Sequence, residues 1–151
     1  MDRLTADDDA LWRALAHVVQ RLPRVLDEDM SRAEGLSMTE FAILLNLAEA
    51  PGQQLRMVEL AAATALSPSR VTRVVADLAR LGLVRRTRHA TDARGSVAVL
   101  TDVGAKKVEE AQPGHVASAH RRVLDHIDAA DRPAVSRALR AIVAALAVSP
   151  E

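Results

Sequence analysis

The chain has 151 residues, 49% of them hydrophobic and 26% charged, which is the balance of a folded globular protein. It has no cysteine, which excludes disulfides, thiolate metal sites and thiol-based redox switching. No segment approaches the roughly 18 consecutive apolar residues of a membrane span. The start, Met1 to Asp9, is acidic where a secretion signal would be basic and then apolar, so the expected compartment is the cytoplasm and no membrane partner is expected.

The formal net charge is zero, but its distribution is uneven. Between Ser67 and Val97 lie seven arginines (70, 73, 80, 85, 86, 88, 94) against two aspartates (77, 92). That segment carries a net +5 and the rest of the chain a net −5. Such a positive patch on an acidic body concentrates polyanions locally. Trp12 and Phe41 are the only aromatic residues, so the core is expected to be built from Leu, Val, Ile and Ala.

Leu11, Leu15, Val18, Val19, Leu22 and Leu26 recur at helical spacing and predict one long amphipathic helix over roughly 8–30. Pro23 lies inside it and is expected to bend or interrupt it, and Gly35 closes the unit. Ser37-Met38-Thr39-Glu40 is a capping box, flanked by Leu36 and Phe41 as a hydrophobic staple, and opens a second helix that Pro51-Gly52 stops. A short extended link, 53–56, precedes an alanine-rich helix over 57–65. Ser67-Pro68 then caps a helix running to Leu81, with Val71, Val74, Val75, Leu78 and Leu81 as its apolar stripe and Gly82 as its C-cap.

From Leu83 to Thr101 the period changes: Val84, Thr87 and Val97-Ala98-Val99-Leu100 predict two strands of a hairpin with a polar tip over 90–95. Thr101-Asp102 caps a helix expected to end near Gln112, where Pro113-Gly114 interrupts before the helical pattern resumes over 115–127. A last helix begins within 128–131, with Val135, Leu139, Ile142, Val143 and Leu146 on its apolar face. The terminal helices carry apolar faces larger than a small wing domain needs.

The order of elements predicts a helix-turn-helix followed by a wing. In such proteins the second helix of the pair enters the DNA major groove by its N-terminal end. The helix from Ser67 has the chemistry for that role. Its short hydroxyl side chains let the backbone approach phosphate, and Arg70 and Arg73 can reach guanine edges or the backbone. A solvated arginine-bearing face is the plainer alternative for this helix alone. The hairpin strengthens the DNA reading, because Arg85, Arg86, Arg88 and His89 feed a tip that carries Asp92 and Arg94. An arginine on a thin ribbon can enter a narrow minor groove, and Asp92 can orient it.

Leu66-Ser67-Pro68-Ser69-Arg70-Val71-Thr72-Arg73, the stretch Leu78…Leu81-Gly82-Leu83-Val84-Arg85-Arg86, and Asp92-Ala93-Arg94-Gly95…Leu100-Thr101…Gly104 together resemble the MarR (multiple antibiotic resistance regulator) family of bacterial transcription factors. The last stretch is similar to the family's wing signature, Asp-x-Arg followed by a strand and Leu-Thr-x-x-Gly. The resemblance implies a mainly α (α+β) winged helix-turn-helix, with residues 37–101 reading double-stranded DNA and residues 1–36 and 102–151 forming a helical dimerisation lobe. It implies a homodimer on a pseudo-palindromic operator, acting as a repressor or another kind of regulator. By position, Ser67, Pro68, Ser69, Arg70, Thr72 and Arg73 would lie on the recognition helix, Arg86 and Arg88 would meet the backbone, and Arg94 would enter the minor groove with Asp92 as its orienter.

The resemblance also implies a small aromatic or phenolic effector, held near His17, Arg13, Trp12 and Phe41; Trp12 on a long helix also fits a dimer core. An enzyme is not expected, since neither a nucleophile elbow nor a phosphate-cradling glycine loop is present. No cofactor or metal is expected. His115, His120 and His126 are five and six residues apart, against the four of a helical zinc pair, and His17 is the remaining candidate ligand of the alternative, a metal-responsive regulator.

Overall fold

Phe41, Ile43, Leu44 and Leu47 lie on the second helix with no exposed surface at all, and the rest of the chain is arranged around them. The computed structural model describes residues 3–88 and 95–147. In order these form α1 (Ala6–Glu34), α2 (Met38–Glu49), a 3-10 turn (Pro51–Gln53), β1 (Gln54–Arg56), α3 (Met57–Thr64), α4 (Pro68–Arg80), β2 (Val84–Arg88), β3 (Ser96–Leu100), α5 (Asp102–Arg122), a second 3-10 turn (Leu124–His126) and α6 (Arg132–Ala147). The strands make an antiparallel sheet in the order β1-β3-β2, with Leu55 and Arg86 both opposite Ala98. This is the winged-helix architecture anticipated from the order of elements.

α2 begins as its capping box dictates: the Ser37 backbone N–H donates to Glu40 Oε2 at 2.7 Å, and the Glu40 N–H to Ser37 Oγ at 3.1 Å. From there α2 packs against α1, α3, α4, α5 and the sheet. Leu60 of α3, Val71, Val75 and Leu78 of α4, Val84, Ala98 and Leu100 of the wing, and Val108 and Ala111 of α5 complete one contiguous core.

Two expectations are corrected, and of the bend or interruption expected at Pro23 the interruption is excluded. Pro23 does not interrupt α1, which is unbroken from Ala6 to Glu34 and ends on Gly35 in the left-handed conformation (φ 69°). Pro113-Gly114 does not interrupt α5, which continues to Arg122. A proline inside a helix costs about 3 kcal/mol, and in α5 packing on both sides offsets it: Val108 and Ala111 are buried before the proline and Ser118 after it. Leu81 leaves the apolar stripe of α4. It is 60% exposed because the helix ends there, with Gly82 left-handed (φ 74°) and Leu83 turned inward instead. The Leu83 N–H to the Leu78 carbonyl and the Gly82 N–H to the Ala79 carbonyl, both at 3.0 Å, form a Schellman motif.

The junction of wing and α5 is tightly stitched. Thr101 caps α5 by accepting from the Gly104 N–H at 3.0 Å, and its hydroxyl donates to the Gly82 carbonyl at 2.7 Å. Its own N–H donates to the Leu83 carbonyl at 3.1 Å. A Cβ at Gly104 would overlap that same Leu83 oxygen and lie 2.7 Å from Leu100 Cδ1. Glycine is therefore required here for close approach. Gly104→Ala is expected to destabilise the fold by ~2 kcal/mol or more, read from the urea midpoint at unchanged m-value, since the obstacle is backbone.

Asp29 of α1, its side chain 8% exposed, accepts hydrogen bonds from three residues at the end of α5. Arg122 and then Ser118 hold its carboxyl well below the usual carboxylate range, burial opposes them, and Arg121 adds to the lowering. The folded pKa lies below the unfolded value of about 3.9, so the ionised group stabilises the fold at neutral pH and that contribution is lost as pH falls below about 4. The stability gap between wild type and Asp29→Asn should thus be steady from about pH 5 to 8 and shrink below about pH 4. Urea midpoints across that range check it, and a gap unchanged in acid would remove the charge from the account.

Candidate nucleic-acid interface

The seat of α4 decides which of its side chains reach solvent. Val71, Val75 and Leu78 are buried and Val74 half-buried, so the helix faces the core along one stripe. Ser67, Pro68, Ser69, Arg70, Thr72 and Arg73 are all exposed on the opposite side or at the capped end. Ser67 Oγ accepts from the Arg70 N–H at 3.3 Å and lies 3.2 Å from Ser69 Oγ. Pro68 has no N–H and the Val71 N–H is spent on the Ser67 carbonyl at 3.0 Å, so the Ser69 N–H is the donor the first turn has left for a phosphate.

The arginines of α4 are in two different states. Arg80 is paired with Asp77. Among the described residues Arg70 and Arg73 lie within ion-pair distance of no carboxylate. Two uncommitted guanidinium groups thus stand on the N-terminal half of the helix, where a reading helix makes its contacts.

In the wing, Arg86 and Arg88 are exposed on one face of β2, opposite Ala98 and Ser96, while Arg85 projects from the other face opposite Val99. Arg86 Nε donates to Ser96 Oγ at 3.1 Å, which holds its stem against the ribbon. Asp92 and Arg94, the anticipated tip residues, and His89 before them lie outside the described residues.

α1 adds a residue that the one-dimensional pattern did not single out. A cleft of about 730 Å³ opens between α1, the start of α2 and α4, and Arg24 of α1 lines it together with Arg70 and Arg73. Each of its three carboxylates is already engaged. Asp27 accepts from the Met38 N–H at 2.8 Å, Glu40 serves the capping box and Asp77 is bound to Arg80. Arg24 lies 3.6 Å from Glu28, so among the described residues Arg70 and Arg73 are the lining guanidinium groups with no carboxylate in ion-pair distance. Nothing in the sequence pattern could have placed Arg24 there, because only tertiary packing brings α1 beside α4.

The residues grouped around an anticipated effector do not stay together. Phe41 is wholly buried, its ring 5.0 Å from that of His115, and belongs to the core. Trp12 is 62% exposed on α1. His17 lines a second cleft of about 620 Å³, between α1 and the chain leading from α5 to α6, with Leu15, Val18, Val123, His126 and Ile127.

The histidines are held separately. His120 Nδ1 donates to Asp125 at 3.0 Å, and His126 Nε2 donates to the Arg121 carbonyl at 3.1 Å. Among the described residues no three His, Asp or Glu side chains come together as a metal site, and no helix is long and apolar enough to cross a membrane.

α6 buries none of its residues, and Leu139, Ile142, Val143 and Leu146 are all exposed. Leu11, Trp12, Val18 and Val19 on α1 are exposed as well. These apolar stripes lie at the chain's two ends, away from the arginines of α4 and the wing.

Residues 34–95 match the model of the MarR family. The fold is shared, at a TM-score of 0.93, with Sco3205, a MarR family transcriptional regulator from Streptomyces coelicolor solved in complex with DNA. The two are 32% identical over 99% of this chain and 93% of that one. AbsC, another such regulator from the same organism, superposes at a TM-score of 0.90, with 34% identity over 97% of this chain and 98% of its own. The HTH-type transcriptional repressor YetL of Bacillus subtilis (strain 168) is 30% identical over 105 residues, which span 70% of this chain and 62% of that protein. With its fold, its wing junction and these likenesses in agreement, the chain belongs to the MarR family, a family of transcriptional regulators and not of enzymes.

Proposed function

We propose that the protein is a transcriptional repressor that binds double-stranded DNA in the cytoplasm as a homodimer, on a pseudo-palindromic operator. The observation that carries this reading is the exposed, uncommitted face of α4: Arg70 and Arg73, clear of every carboxylate among the described residues, beside Ser67, Ser69 and Thr72 at a capped N-terminus. Residues 37–101 are the reader in this proposal, and residues 1–36 and 102–151 the dimerisation lobe. Arg86 and Arg88 meet the phosphate backbone, and Arg94, with Asp92 orienting it, enters the minor groove. The DNA held by Sco3205 and the repressor role of YetL favour the same reading.

Dimerisation is supported by α6, which no single chain covers. A second copy can bury its leucines and valines with those of α1 at roughly 25 cal/mol per Å² of apolar surface. Release by a small aromatic or phenolic effector is supported by the α1-α2-α4 cleft. Leu22, Leu26 and Val74 offer apolar wall, and the guanidinium groups that would hold a carboxylate or phenolate are those proposed to read DNA. An occupant there competes directly with the operator.

The test is a salt-titrated binding assay on duplexes selected from random sequence, comparing wild type with Arg94→Ala. Tight, salt-sensitive and selective binding that the variant loses supports the proposal, and a wild-type dimer that prefers no sequence overturns it. Arg73→Ala, if Arg73 reads guanine, is expected to cost ~1–3 kcal/mol on the selected duplex and relax one base position. Equal losses on random DNA would remove its base-reading role. Arg86→Ala should weaken all duplexes alike and flatten the slope of log K against log salt by about one unit.

A further inference from the structure

Three acidic residues in the last third of α1 each bond a different part of the chain. Asp27 accepts from the Met38 N–H at the start of α2, Glu34 meets Lys107 Nζ at 3.4 Å in the first half of α5, and Asp29 meets the end of α5. The Asp29 node is the densest. Its Oδ2 accepts from Ser118 Oγ at 2.6 Å, Arg121 Nη2 at 3.0 Å and Arg122 Nε at 2.9 Å, while Oδ1 accepts from Arg122 Nη2 at 2.9 Å. Among the described residues, every side-chain hydrogen bond that ties residues 118–147 to the rest of the chain ends on this one carboxylate.

Its place in the fold gives that convergence a consequence. Beyond Arg122 the chain turns through Leu124–His126 into α6, which buries none of its residues and leaves Leu139, Ile142, Val143 and Leu146 exposed. On the other side, α1 is braced on α2, the helix on which α4 packs. The node therefore joins the partner-facing end of the molecule to its reading end. An apolar contact there would tolerate sliding, whereas a two-pronged Arg122–carboxylate pair, backed by two more donors, fixes direction as well as distance. α5 is 21 residues long, so a swing of about 10° at the node displaces its far end by about 5 Å. One base pair advances each strand by only about 3.4 Å.

We propose that Asp29 is a positioning residue for DNA reading: by locking the angle between α1 and the end of α5, it sets the separation of the two α4 helices in a dimer and so the half-site spacing that the protein accepts. This rests on the dimeric reader proposed above.

The experiment uses the full chain and the duplex that wild type selects from random sequence, together with the same duplex lengthened or shortened by one base pair between its half-sites. Affinities for these three and for random DNA are measured for wild type, Asp29→Asn and Arg122→Lys, with sedimentation to count subunits. Wild type is expected to lose about tenfold or more on the altered spacings, where one reading helix falls out of register. In the variants that penalty should drop to about threefold or less, with random-DNA affinity and the dimer unchanged. Dimeric variants that keep the wild-type penalty overturn the inference and make Asp29 a stability residue only. Should Asp29→Asn not fold, Arg122→Lys keeps the charge, removes the two-pronged geometry and decides alone. A wild type that is monomeric, or indifferent to spacing, overturns the dimeric reader itself, a failure visible without any variant.

Discussion

Every part of the reading end depends on where α2 begins. The reciprocal bonds of Ser37 and Glu40 close two backbone donors that no later turn could satisfy, and they start the helix in the register that buries Phe41, Ile43, Leu44 and Leu47 together. α1, α3, α4, α5 and the sheet all pack on that surface. A start shifted by one residue would rotate the apolar face by about 100° and leave α4 without its seat. The direction in which Arg70 and Arg73 point is thus set at a cap some thirty residues earlier in the chain.

The zero net charge hides a division of labour. The acidic residues of α1 and α2 that bear on the fold are spent internally: Asp27 and Glu40 on backbone N–H groups, Asp29 and Glu34 on α5. On α4 the opposite holds, since Asp77 neutralises only Arg80 and leaves the N-terminal arginines open. Like charges crowded at one face destabilise a fold slightly but concentrate its field. A field made by arginines alone would attract any polyanion. Selectivity must come from geometry: from the side chains α4 presents, and from the distance between the two copies that present them.

That distance is where the two ends of the molecule meet. α1 and α5 each run from the apolar stripes to the core around α2, so they both transmit and constrain any relative movement. The α1-α2-α4 cleft and the Asp29 node lie on different sides of α1, and both involve residues within a few positions of Pro23 and Met30. An occupant of the cleft would act on guanidinium groups directly, while a change at the node would act through the angle between helices. The same helix serves both.

Local chemistry, legible in the chain itself, determined the order of elements, the capping box, the Ser67-Pro68 start of α4, the wing hairpin and the arginine-rich segment. These follow from short-range rules: hydrogen bonds reaching three residues, the 3.6 and 2.0 periods, and turn residues with their own preferences. Tertiary packing decided the rest. Pro23 reads as a bend or an interruption and Pro113 as an interruption, yet both helices are continuous, and α5 is held by buried residues on both sides of its proline. Leu81 fits the stripe of α4 by spacing but is exposed because Gly82 ends the helix and turns Leu83 inward. Ala65, not a glycine, adopts the left-handed conformation between α3 and α4 (φ 53°), where the surrounding helices over-determine it. Phe41 could have lined a pocket by its neighbours in sequence, but it stacks near His115, seventy-four residues away. Arg24 lining one cleft with Arg70, and Asp29 bonding Ser118, Arg121 and Arg122, are juxtapositions across the chain that no local period encodes, because a side chain's neighbours are set by which helices pack together.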